Sequence, residues 1–168
     1  MRDWFMAGSH PTQYGHDITP GPEPDRRAAR ISFTSEAEPG GFGTLMQMFR
    51  ADDYRSTRMR FSAEVRTVDV DGWLGLWMRV DGDGRIALAF DNMQSRAVKG
   101  TTDWQRYDVV LDVAADARAV AFGVLLHGRG HGWISGVRFE QVGPEVATTG
   151  SGPSTLPDGP ANLDFADD

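Results

Sequence analysis

From residue 73 to residue 80 every second side chain is aliphatic. Leu74, Leu76, Met78 and Val80 alternate with Trp73, Gly75, Trp77 and Arg79. Successive side chains of a β-strand point to opposite faces, so this period of two predicts a strand with one aliphatic face. Its other face pairs two indoles with a guanidinium. Asp81, Gly82, Asp83 and Gly84 follow, residues that tolerate the positive φ of a tight turn. Ile86, Leu88 and Phe90 then resume the two-residue period, so residues 72–93 are expected to form a hairpin whose return strand lays these three on the aliphatic face.

The same period recurs along the chain. Ile31 and Phe33 alternate with Ser32 and Thr34, and Met59, Phe61, Ala63, Val65 and Thr67 alternate with Arg60, Ser62, Glu64 and Arg66. Tyr107, Val109, Leu111 and Val113 form a further apolar face. Residues 42–50 and 119–126 are apolar on both faces, as in strands covered on two sides. Leu, Met and Gln in 42–50 also suit a helix, but Pro39, Gly40 and Gly41 before it and Ala51, Asp52 and Asp53 after it leave only a strand-length run. Residues 133–142 make a closing strand, and 94–102 are expected as a polar connection. Residues 15–27 hold three prolines and read as an exposed loop or edge segment. Trp4, Phe5 and Met6 imply a packed start. No stretch sustains a period of 3.6, so the chain is predicted to be all-β, a two-sheet antiparallel β-sandwich with few or no helices.

A length of 168 residues suits one domain able to bury its own core. There is no cysteine, which excludes disulfides, thiolate metal sites and a cysteine nucleophile. Five of the 24 acids fall in residues 144–168, which contain no Lys or Arg, so the body with all 17 bases is close to neutral. No basic face of the kind that phosphate backbones require is expected, and hence no nucleic acid partner. Residues 1–15 lack the apolar core of a signal peptide and no later run is long enough to span a membrane, so a soluble cytoplasmic protein is the simplest expectation. Residues 144–160 are rich in Gly, Ser, Thr and Pro and read as a flexible linker beyond a domain of residues 1–143. Residues 161–168 form an acidic tail in which Leu163 and Phe165 lie two apart, a pattern able to dock as a strand on its own domain or a neighbour's, the latter giving self-association.

The segment Thr101, Thr102, Asp103, Trp104, Gln105, Arg106 and Tyr107, the alternating strand after it, the Ala-Val-Ala-Phe-Gly-Val strand from Ala119 and the closing Trp133, Ile134, Ser135, Gly136, Val137, Arg138 and Phe139 resemble the carbohydrate-binding-module-like jelly roll, also called galactose-binding-domain-like. The resemblance covers residues 1–142 and implies fold more than function. Such jelly rolls are also found attached to bacterial transcription regulators. Family members commonly bind a structural calcium with a pair of aspartates before the closing strand. Ser135 and Gly136 stand there instead, so no metal and no cofactor is expected.

Trp73, Trp77 and Arg79 make the candidate ligand face, because indoles stack on sugar rings and flat ligands while a guanidinium orients polar groups. Neighbouring strands are expected to add Gln47, Glu64, Arg66, Asp91, Asn92 and His127. Of the four histidines, His127 and His131 are four apart, but across Gly128, Gly130 and an expected turn where helical convergence on a metal does not apply, and no Walker loop, G-x-S-x-G elbow or H-E-x-x-H motif is present. The leading expectation is a non-catalytic binding module for a carbohydrate or other small molecule. One alternative is a cyclase or isomerase of a natural-product pathway using Glu64, Asp91 and His127 as acid/base groups; another is a protein-interaction domain. No catalytic residue is assigned by sequence.

Overall fold

One 25-residue strand, β5 (Thr57–Asp81), belongs to both layers of the sandwich. The computed structural model describes residues 1–150, the side chain of Arg85 excepted; the tail and the rest of the expected linker lie outside the described residues. In chain order the other strands are β1 (Phe5–Gly8), β2 (Tyr14–Pro20), β3 (Arg27–Phe33), β4 (Phe42–Arg50), β6 (Ala87–Asp91), β7 (Val98–Val113), β8 (Ala119–His127) and β9 (His131–Val142). All pairings are antiparallel. The helical elements among the described residues are three-residue 3-10 turns, and none is long and apolar enough to cross a membrane.

The first half of β5 pairs with β7 and β9, and β9 continues through β3 to β2. Its second half pairs with β8 and β6, and β8 continues through β4 to β1. Between the halves the register against β7 shifts repeatedly from Thr67 to Leu74, and Asp69 takes φ 53. The strand bends there from one layer to the other, curling the antiparallel sheet into the expected all-β sandwich. The segment rich in prolines supplies β2, an edge strand paired to β3 alone among the described residues.

The aliphatic face of residues 74–80 lies at the centre of the core with Leu74, Leu76, Met78 and Val80 all fully buried. From the facing layer come Phe61, Val65, Val109 and Leu111. Phe61 stacks on Phe122 at 4.4 Å, and Phe49, Tyr54 and Phe139 meet around them edge to face.

The return strand differs from the sequence expectation. Gly82 accepts no simple two-residue turn: a 3-10 turn over Asp83–Arg85 precedes β6, with Gly84 at φ 65. Val80 then faces Ala89 while Asp81 faces Ala87, which leaves Leu88 as an extra, bulged residue. One inserted residue reverses the alternation. Ala89 enters the core, Ile86 is 66% exposed, and Phe90 stands opposite Arg79 on the indole side.

Two further details bear on the site. Residues 98–102, expected as connection, extend β7. At the start of the expected linker, Thr149 donates its backbone N–H to the Val110 carbonyl, and its hydroxyl accepts from the Val110 N–H at 2.9 Å. The segment thereby covers the outer edge of β7 and buries Val110.

Candidate functional site

A cleft of about 450 Å³ lies on the outer face of the layer formed by β1, β4, β8, the second half of β5, and β6. Strand alternation supplies its walls. Phe42, Thr44 and Met46 come from β4; Trp73, Trp77 and Arg79 from β5; Leu125 and His127 from β8. Ala7 and Gly8 of β1 close one side, and Phe90 and Asn92 the other. Gly75 lies between the two tryptophans on this face, where a Cβ would stand 2.5 Å from the Asn92 carbonyl. Its lack of a side chain lets the segment after β6 approach and brings Asn92 to the cleft.

The two indoles play different structural parts. Trp77 is only 6% exposed and packs with Met46, Ala121 and Leu125 in a small second hydrophobic cluster. Its Nε1–H donates to Thr44 Oγ1 at 2.7 Å, and that hydroxyl donates in turn to the Val124 carbonyl at 2.9 Å. The polar atom of the ring is therefore satisfied inside the protein. Trp73 is half-buried against the rim of this cluster and offers more open ring surface. Arg79 reaches over the Trp77 ring, 6.0 Å from its centroid, and donates its Nε–H to Asp81 Oδ1 at 2.7 Å. Asp81 is buried on the side of Arg79 away from the cleft, where a shallow depression shared with Met48 and Arg118 begins.

Of the residues singled out from sequence, Trp73, Trp77, Arg79, Asn92 and His127 share this cleft. The other four are elsewhere. Gln47 stands in register with Phe122, on the inward side of β4 beside Leu45 and Phe49. Glu64 and Arg66 lie on the opposite layer: Glu64 accepts from Arg26 Nη1 at 2.6 Å, and Arg66 stacks 4.9 Å over Trp133. Asp91 stands in register with Met78 and accepts from Arg96 Nη2 at 2.6 Å, Thr149 Oγ1 at 2.6 Å and the Met93 N–H at 3.0 Å. Burial by itself would raise the Asp91 carboxyl, but these three donors outweigh it and hold the group below the ordinary carboxylate range.

Phe42, Thr44, Met46, Leu125 and Phe90 were not singled out from sequence. The first four belong to runs apolar on both faces, where periodicity does not say which face opens outward. The signal for Phe90 was present but inverted by the Leu88 bulge. Among the described residues no cluster of His, Asp or Glu has the arrangement of a metal site. Ser135 donates its hydroxyl to the Arg27 carbonyl, and Gly136 sits at φ 57 beside Glu64, Arg106 and Arg26.

No protein-family model matches the chain. Over its whole length it is 38% identical to an uncharacterized HTH-type transcriptional regulator, YbfP, of Bacillus subtilis (strain 168), and it spans 58% of that protein's length. Among solved structures it is similar to the CBM22-1 xylan-binding domain of Paenibacillus barcinonensis Xyn10C, with a TM-score of 0.59 and 10% identity over 84% of this chain and 86% of that one. It is also similar to the Stig cyclase Fisc from Fischerella sp. TAU, with a TM-score of 0.54 and 13% identity over 84% of this chain and 85% of that one. The fold is thus that of the carbohydrate-binding-module-like jelly rolls.

Proposed function

We propose that this carbohydrate-binding-module-like jelly roll is a non-catalytic binding module that takes a carbohydrate or other small molecule in the cleft between Trp73, Phe42 and Phe90. The observation that carries the reading is the cleft itself. It has the size of small-molecule sites, an aromatic and aliphatic lining, and a few convergent polar groups at Arg79, Asn92 and His127. Similarity to a xylan-binding domain and to a transcriptional regulator supports a recognition role, with the module serving as the part that senses a small effector.

The acid/base chemistry weighed for an enzyme has little support in the geometry. Of Glu64, Asp91 and His127, His127 alone lines the cleft. Glu64 and Asp91 are each engaged by an arginine at 2.6 Å, away from it. A general acid or base must reach its substrate within hydrogen-bond distance.

The test is a panel of mono- and oligosaccharides and small metabolites titrated into the protein, read by calorimetry and by intrinsic tryptophan fluorescence. A saturable ligand whose binding is lost in Trp73→Ala, with the melting temperature preserved, is the expected result. Binding that persists unchanged in Trp73→Ala, or no binding across the panel, overturns the proposal.

A further inference from the structure

The polar groups of the cleft are unequal in what they can offer a ligand, and this narrows the ligand class. Thr44 has no proton to offer, since its hydroxyl already donates to Val124 and accepts from Trp77, which leaves it one lone pair. Arg79 uses Nε on Asp81 and makes no other hydrogen bond among the described residues, so both terminal amino groups remain available. Asn92 Oδ1 accepts the Gln94 N–H at 3.1 Å, which leaves the two amide hydrogens of its side chain. Among the described residues no Asp or Glu lines the cleft. Among the described side chains that line the cleft, the acceptors left are a lone pair each on Thr44 and Asn92 and at most one ring nitrogen of His127, so N–H donors outnumber them.

We infer that the cleft selects a ligand bearing a carboxylate on a flat apolar body, an inference that rests on the cleft being the binding site. Each hydroxyl of a neutral sugar carries a proton as well as lone pairs, and in this cleft those protons meet few acceptors. A buried donor without a partner is costly. A carboxylate only accepts, and it matches the paired N–H groups at the end of a guanidinium. Asp81 contributes by fixing the ring of bonds from the other side: holding Nε at 2.7 Å, it orients the guanidinium and leaves the amino groups free. The flat body is accounted for by the apolar lining: Phe90 stands in register with Arg79, and Trp73 and Phe42, in one row with His127, supply aromatic surface toward the other end of the cleft.

Two kinds of molecule offer a carboxylate beside an apolar ring face: an aromatic acid, which has no hydroxyl to satisfy, and an acidic sugar, which stacks by its C–H face. Calorimetry on the full 168-residue chain with matched pairs separates them: methyl glucuronide against methyl glucoside, and indole-3-carboxylate against indole-3-carboxamide. In one pair the acid is expected to bind about tenfold tighter than its neutral partner. Arg79→Gln should erase that preference, whereas Trp73→Ala should weaken both members alike. Arg79→Lys keeps the charge but loses the paired donors, and should restore only part of the preference. The comparison within wild-type protein stands even if an Arg79 variant fails to fold. Neutral members binding as tightly as the acids overturn the carboxylate inference and leave the binding-module proposal standing. Failure of both acids to bind also overturns the inference, while the proposal itself fails only if the wider panel yields no Trp73-dependent ligand.

Discussion

The indole N–H of Trp77 donates to the Thr44 hydroxyl across 2.7 Å, joining the cleft face of β5 to β4 over the intervening strand β8. Trp77 is thus a packed and hydrogen-bonded member of the sheet's outer layer, while Trp73 is half-buried against that cluster and lines the cleft. The first prediction separates the two. Trp77→Ala should destabilise by about 3 to 5 kcal/mol, the usual cost of removing a buried aromatic. Trp77→Phe, which keeps a ring but drops the N–H, should cost about 1 kcal/mol. Trp73→Ala should cost clearly less than Trp77→Ala in urea unfolding. A Trp77→Ala protein with wild-type stability would show that this layer is not packed as described.

Asp91 supplies a pH-dependent prediction. Its folded carboxyl lies below its ordinary value, because Arg96, Thr149 and the Met93 N–H outweigh the opposing effect of burial. A depressed folded value means that stability is present above the unfolded carboxylate value near pH 4 and is lost as pH falls through the lower folded value. Acid unfolding of wild type should therefore include a component that Asp91→Asn lacks. At neutral pH the variant should be less stable by about 1 to 3 kcal/mol, since Arg96 loses its buried partner. Parallel stability curves for the two proteins from pH 7 to pH 3 would contradict this account.

Thr149 links that carboxylate to the edge of β7. Thr149→Val removes the hydroxyl bonded to Asp91 and to the Val110 N–H. A loss of about 1 to 2 kcal/mol and faster amide exchange at Val110 are expected. An unchanged exchange rate would mean that the segment leading to Gly150 does not protect the strand edge.

Gly136 sits at φ 57, with a Cβ position 2.9 Å from Glu64 Oε2. Gly136→Ala should cost about 1 to 2 kcal/mol from the left-handed backbone alone. The added methyl also crowds the carboxylate that Arg26 holds, so a melt at or above the wild-type temperature would refute the assignment of strain to this position.

Calcium is expected to leave the protein's melting temperature unchanged after chelation. Where the family resemblance implies a pair of acids stand Ser135, whose hydroxyl donates to the Arg27 carbonyl, and Gly136, which has no side chain. Calcium takes about six to eight oxygen ligands. A rise of several degrees by calorimetric scan would reveal a metal site elsewhere.

Sequence alone determined the all-β class and where most strands lie, because side-chain alternation is a local property of extended backbone. It also determined that Leu74, Leu76, Met78 and Val80 share a face that excludes Trp73, Trp77 and Arg79. Tertiary pairing decided the rest. Residues 57–81 run as one strand because β7 and β9 hold its first half while β8 and β6 hold the second, and a local pattern does not report whether a chain bends or turns between such partners. That division sent Glu64 and Arg66 to the layer opposite the cleft. The Leu88 bulge reversed the parity of β6, moving Phe90 outward and Ala89 inward, because one inserted residue flips every side chain beyond it. In β4 and β8, apolar on both faces, only the position of the second layer determined that Thr44, Met46 and Leu125 face the cleft. Asp91 was claimed by Arg96 and Thr149 through contacts made only once β6, β7 and the segment after β9 had come together.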